Sequence, residues 1–132
     1  MSRPSGKGRT DEERYDDGMR VRREVLGDAH VDRAVAGTAP ETADFQDLIT
    51  RYAWGDIWSR SGLARRDRSI AVLTALIALG HHEEFAMHVR AAQRNGLTRD
   101  EIVEVVLQSA IYCGVPAANT AFRIVKDVFA EE

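Results

Sequence analysis

Cysteine is nearly missing. Cys113 is alone among 132 residues, which excludes an intrachain disulfide, a CxxC redox pair and a cysteine-rich zinc site, and with them two-cysteine peroxidase chemistry. Positive charge is not in excess either: the net charge of -3 and pI near 5.8 lack the concentrated basic surface that displaces counterions from nucleic acid, so no nucleic-acid partner is expected. No apolar run is long. "IAVLTALIAL" at 70–79 is about half of the roughly 20 residues that cross a bilayer, and no apolar segment follows the basic "MSRPSGKGR" as it would in a signal peptide. The expectation is no membrane partner and a cytoplasmic protein. Two-residue alternation, tandem repeats and a dividing linker are also lacking, which argues against strands and against several domains.

What is present suits one soluble globular domain. Apolar residues make up 44% and charged residues 30%, and this length buries a core without disulfides or a structural metal. Residues 1–10 are expected to be a disordered tail and residues 11–132 a single domain.

Helical periodicity fills that domain. Thr10 and Glu13 form a capping-box pattern, after which Tyr15, Met19, the Arg22 stem and Leu26 line one side up to Gly27. Asp28 is placed to cap a second helix through Val31, Ala34 and Val35, with Gly37 ending it in a left-handed conformation. Residues 38–42, with Pro40, read as a turn. Phe45, Leu48, Ile49 and Tyr52 repeat at i, i+3, i+4, i+7, predicting a buried face that Trp54, Ile57 and Trp58 extend past Gly55.

The charged stretch "SRSGLARRDRS" interrupts the pattern before 70–79, which predicts a helix buried on most sides. Phe85, Val89 and Ala92 make the next stripe. Thr98 and Glu101 form a second capping box, stapled by Leu97 and Ile102, and that helix runs to about Cys113, where Gly114 and Pro116 stop it. A last helix spans about 116–129. The fold is therefore expected to be all-α, and its apolar faces point to self-association.

Chemistry concentrates in "HHEEFAMHVR" at 81–90. His81, Glu84 and His88 fall on one helical stripe beside Phe85 and Val89. A carboxylate near an imidazole favours the imidazolium and orients the ring, as a general acid requires. Two histidines and a carboxylate are also possible metal ligands, but the spacing is neither H-E-x-x-H nor the E-x-x-H of di-iron bundles, and no metal is expected. Spacing alone does not separate catalysis from an ordinary i,i+4 pair worth about 0.2–0.5 kcal/mol.

"EEFAMHVRAAQRNGLTRDEIVEVVLQSAIYCGVPAANTAF", "RYAWGDIWSRSGL" and "GMRVRREVLGDAHVDRA", three separated motifs in order over about residues 12–130, resemble the carboxymuconolactone decarboxylase family, in its gamma-carboxymuconolactone decarboxylase branch. The resemblance implies an all-α fold shared with the alkylhydroperoxidase AhpD-like proteins, about six to seven helices, forming ring oligomers that are commonly hexamers. Redox members of that superfamily carry C-x-x-C-x-x-x-H where this chain has His81, Glu84 and His88. Ser61 before Gly62 departs from the proline usual in the family's loop.

The resemblance further implies cofactor-free decarboxylation of gamma-carboxymuconolactone, a small lactone dicarboxylate, to the enol-lactone of beta-ketoadipate in protocatechuate breakdown. His88 is assigned proton delivery, Glu84 its orientation and His81 a hydrogen bond to substrate. Arg51 and Arg68 are the candidate carboxylate-binding residues, since the guanidinium fork suits a carboxylate, and Trp54 and Tyr112 are assigned to the pocket wall. Arg65, Arg66, Arg90, Arg94 and Arg99 are expected in surface or interface ion pairs. The alternatives are a non-catalytic oligomeric module of the same fold, or an enzyme of that fold acting on another lactone.

Overall fold

Thr10 starts the first helix as its pattern predicts. Its hydroxyl accepts from the Glu13 N–H at 3.1 Å, and the Glu13 carboxylate accepts from the Thr10 N–H at 3.2 Å, so two N–H groups that a helix end leaves unsatisfied are bonded reciprocally. The computed structural model describes residues 8–132. Of the tail expected over residues 1–10, residues 1–7 lie outside the described residues. All described elements are helical, and they form two compact units, one ending at Ala64 and the other running Arg65–Glu132.

The first unit contains α1 (Asp11–Leu26), α2 (Asp28–Ala36), α3 (Ala43–Ile49) and a π-helix (Thr50–Trp58) that continues α3. In a π-helix each N–H bonds five residues back instead of four, a rare geometry. Its tightest neighbour is α1. A Cβ added to Gly18 would stand 1.9 Å from the Thr50 carbonyl oxygen, and one on Gly55 would stand 2.4 Å from the Arg14 carbonyl oxygen. Two glycines thus let the backbones touch, where any side chain would force them apart.

Charge locks the same contact. The guanidinium of Arg14 holds Asp56 through Nε–Oδ1 at 3.0 Å and Nη2–Oδ2 at 2.6 Å, while Arg9 reaches Asp17 at 2.8 Å, Asp56 at 3.1 Å and the Gly55 carbonyl at 3.0 Å. Arginine's fixed fork allows this bidentate geometry. The hydrogen bond and charge of Asp56 push the Arg14 guanidinium above its ordinary pKa. Trp54 is buried and stacks on Trp58 with ring centroids 5.3 Å apart.

The second unit contains α4 (Arg65–Leu79), α5 (His82–Arg94), α6 (Arg99–Cys113) and α7 (Val115–Glu131). Leu73, Phe85, Val89, Ile102, Val106 and Val125 lie at its centre, each contributing about 1.5–3 kcal/mol by leaving water. The Thr98–Glu101 capping box forms, and Leu97 and Ile102 of the staple are both buried. Gly114 turns the chain between α6 and α7 with φ +96, a conformation that L side chains rarely adopt, and Pro116 follows in the first turn of α7.

Four expectations are corrected. Asp28 does not cap α2: Gly27 holds that position, and Asp28 pairs with Arg23 at 3.1 Å. Gly37 ends α2 with φ -84 rather than in the left-handed region. The face of Phe45, Leu48 and Tyr52 is exposed in this single chain, with Phe45 59% accessible, because periodicity reports an apolar stripe and not what covers it. The helix over 70–79 likewise buries one side, through Ser69, Leu73 and Ile77, while Ala71, Ala75, Ala78 and Leu79 are exposed.

Candidate functional site

The helix α5 exists because Phe85, Val89 and Ala92 recur on one face and enter the core of the second unit. Glu83 and Glu84 in its first turn suit the positive end of the helix dipole, and Arg94 the negative end. His88 lies on the buried side of this helix. Only 7% of its surface is accessible, and Phe85, Val89, Ala91 and Ala92 of the same helix are buried with it.

A buried imidazole is chemically notable, since this side chain changes charge near neutral pH. It also differs from its two companions. Glu84 precedes it by one helical turn and is exposed, with no hydrogen bond or ion pair of its own among the described residues. His81 stands just outside the helix as its N-cap residue, with φ -86 and ψ 79, exposed and with no side-chain capping bond. The stripe read from the sequence is therefore graded in solvent access, with His88 inside and Glu84 and His81 outside. Among the described residues, no three His, Cys, Asp or Glu side chains converge in a way suited to holding a metal ion.

The other candidates divide between the units. In the second, Arg68 lies half-buried in the first turn of α4, and Tyr112 is 82% accessible in the last turn of α6. A cavity of about 490 Å³ opens between α4 and α6, lined by Ile70, Thr74, Glu104, Val105, Gln108 and Ile111 among others. None of the candidate residues lines it. In the first unit, Arg51 is half-buried and bound to Asp47 through Nε at 3.1 Å and Nη2 at 3.0 Å, and Trp54 is buried in the π-helix. Three arginines expected in ion pairs form them: Arg66 with Glu101, Arg90 with Glu131 and Arg99 with Glu132. Arg99 also covers the Phe129 ring at 4.6 Å.

Helical periodicity accounts for the stem of one further residue and not for its charge. Arg22 of α1 is 6% accessible. Its Nη1 donates to Thr50 Oγ1 at 3.3 Å and its Nη2 to Gln46 Oε1 at 3.1 Å, both neutral acceptors, and its Nε is buried with no hydrogen-bond partner. Burial pushes this guanidinium below its ordinary pKa. The signal was available: Arg22 occupies an apolar position of the Tyr15–Met19–Leu26 stripe, where a charged head is normally led out to water.

Comparison with known proteins gives this geometry a context. Residues 43–127 match the carboxymuconolactone decarboxylase family. The chain is similar to a 4-carboxymuconolactone decarboxylase of Acinetobacter baylyi, 45% identical over 92% of this chain and 90% of the relative. It is also similar to the nitrosuccinic acid decarboxylase npaB of Metarhizium robertsii, 41% identical over 83% of this chain and 77% of the relative. A 4-carboxymuconolactone decarboxylase of Pseudomonas putida is 54% identical over 46 residues, 35% of this chain and 96% of the relative.

Proposed function

Because the chain belongs to the carboxymuconolactone decarboxylase family, we propose that it is a decarboxylase that converts gamma-carboxymuconolactone, the 4-carboxy lactone, into the enol-lactone of beta-ketoadipate without a cofactor. The observation that carries the reading is a buried imidazole, His88, in a chain 45% identical to a protein named for this reaction.

The chemistry asks little of the protein. The C–C bond to the ring carboxylate breaks, carbon dioxide leaves, and the electron pair moves through the ring double bond onto the lactone carbonyl oxygen. A proton then adds to the ring carbon beside that carbonyl, giving the enol-lactone. The substrate is its own electron sink. The protein must bind two carboxylates, keep water from the leaving one, stabilise the enolate oxygen and deliver one proton.

His88 is the proton donor in this proposal, buried on α5 with Phe85, Val89, Ala91 and Ala92, and it regains its proton from solvent after each turnover. Glu84, one turn earlier on α5, supports the charged imidazole, and His81 donates a hydrogen bond to substrate. Arg51 and Arg68 hold carboxylates, with Trp54 and Tyr112 as pocket wall. The second relative's name supports decarboxylation more broadly. In nitrosuccinic acid the nitro group can accept the departing electron pair, so both named substrates are dicarboxylates with an internal sink.

The protein is further proposed to work in the cytoplasm as a homo-oligomeric ring of six. No helix of the described residues is long and apolar enough to cross a membrane. Large apolar side chains stand exposed on the single chain, with Ile111 78% and Leu79 68% accessible, which is the character of surface that another copy covers. Sedimentation at micromolar concentration is expected to give six copies; a monomer would end this part of the proposal.

The deciding experiment is carbon dioxide release from freshly generated lactone, in chelator, by the wild type and by His88→Ala. Release by the wild type and a fall of about 100-fold or more in the variant is expected. Near-normal turnover by a folded His88→Ala would reject His88 as donor. No release by the wild type would reject the substrate.

A further inference from the structure

The first unit contains a cavity of about 370 Å³, lined by Tyr15, Met19, Arg22, Val35, Gln46 and Thr50 among others. That volume lies within the range of pockets that hold small molecules, roughly 300–1,000 Å³. Asp47 and Arg51 are bound to each other at its margin, so their charges offset. Arg23, next to Arg22 in sequence, is likewise answered by Asp28 and Asp32.

Arg22 is the exception. Its side-chain hydrogen bonds among the described residues, to Gln46 and Thr50, use two of the five N–H donors of a guanidinium. The Thr50 hydroxyl donates its own proton to the Gln46 carbonyl at 2.7 Å, so its lone pairs are free to face the arginine. Among the described residues no carboxylate pairs with Arg22. A buried charge without a counterion is unfavourable, and folds keep few of them. Here the missing counterion has a space beside it.

We propose that the Arg22 cavity is a binding site for a small organic carboxylate, whose carboxylate group completes the ion pair that the fold leaves open. The planar fork of arginine matches a carboxylate bidentately, and a single guanidinium balances a single negative group. Gln46 and Thr50 hold the guanidinium in place before the ligand arrives, which lowers the entropic cost of binding. Tyr15, Met19 and Val35 supply the less polar wall that a short carbon chain would touch.

Calorimetric titration of the full chain with succinate, at low ionic strength, tests the site directly. One saturable site per chain is expected for the wild type. Arg22→Gln is expected to weaken binding at least about tenfold. Val35, half-accessible at the cavity wall, offers a variant that leaves Arg22 untouched: Val35→Trp fills the space and is expected to weaken binding to the same degree.

Absence of saturable binding would overturn the proposal, as would wild-type affinity in Val35→Trp even where Arg22→Gln fails to fold. Displacement by sulfate as readily as by other dicarboxylates would overturn the choice of a carboxylate. Turnover assays then separate two sources of the ligand, both consistent with the site. If succinate raises KM for the lactone in the wild type but not in Val35→Trp, with kcat unchanged, the occupant is the substrate's own carboxylate, held there in place of Arg51 or Arg68; if the two respond alike, it is a separate organic acid. Binding is read without turnover, so failure of the decarboxylase reading leaves this test intact.

Discussion

Gly18 of α1 lies so close to Thr50 of the π-helix that a methyl group on Gly18 would stand 1.9 Å from the Thr50 carbonyl oxygen. Backbone is the obstacle, so no side chain can rotate away to relieve the clash. Gly18→Ala is therefore expected to destabilise the protein by about 3 kcal/mol or more, read as a lower urea midpoint. Gly62→Ala is the control, because nothing lies within 4 Å of the added carbon; its midpoint should barely move.

Asp56 serves two cations at once, Arg14 and Arg9. Asp56→Asn keeps the shape and removes the charge, leaving the largely buried Arg9 with Asp17 as its one carboxylate partner among the described residues. A loss of about 1–3 kcal/mol is expected, and the double variant with Arg14→Gln should lose less than the sum of the two single changes.

Glu101 gives a pH signature. The hydrogen bond from Arg66, aided by the backbone N–H of Thr98, holds its carboxyl at about 2, below the ordinary value of 4.5. A carboxyl depressed on folding stabilises the folded state above its unfolded pKa and loses that contribution as pH falls through the folded one. The contribution of Glu101 should thus fade between about pH 4.5 and 2. In Arg66→Ala the titration of this carboxyl, followed by NMR, is expected to move upward, and stability should depend less on pH within that window.

Glu84→Gln tests the proposed electrostatic support of His88 as proton donor. A nearby carboxylate favours imidazolium, so its loss should move the alkaline fall in the decarboxylation rate to lower pH. An unchanged pH–rate profile would show that exposed Glu84 does not act on His88.

Much of this architecture was legible because its signals are local. Thr10 with Glu13 and Thr98 with Glu101 fixed two helix starts through bonds spanning three residues, and Phe85, Val89 and Ala92 marked a buried face. His88 was legible as a residue with chemistry, but not its separation in solvent access from Glu84 and His81, which depends on how α5 rolls into the core. The π-helix left no local mark. It lies where Gly18, Gly55 and the Arg14–Asp56 pair bring two segments together across about 40 residues of sequence. Arg22 was hidden for a related reason: α-helical spacing placed its stem correctly and said nothing of the fate of its charge.

Hydrogen bonding in Thr50–Trp58 skips five residues rather than four, so this segment accommodates a residue that an α-helix over the same span would have no room for. Deleting one exposed position here, such as Tyr52, would rewind the helix rather than merely shorten it. The tighter α-helical winding would take up the missing residue, so that later side chains could keep their faces. Gly55 could then stay opposite the Arg14 carbonyl and Asp56 with its arginines. In comparing relatives of this chain, a single-residue gap at this point marks a change of winding and not a change of the faces on its two sides.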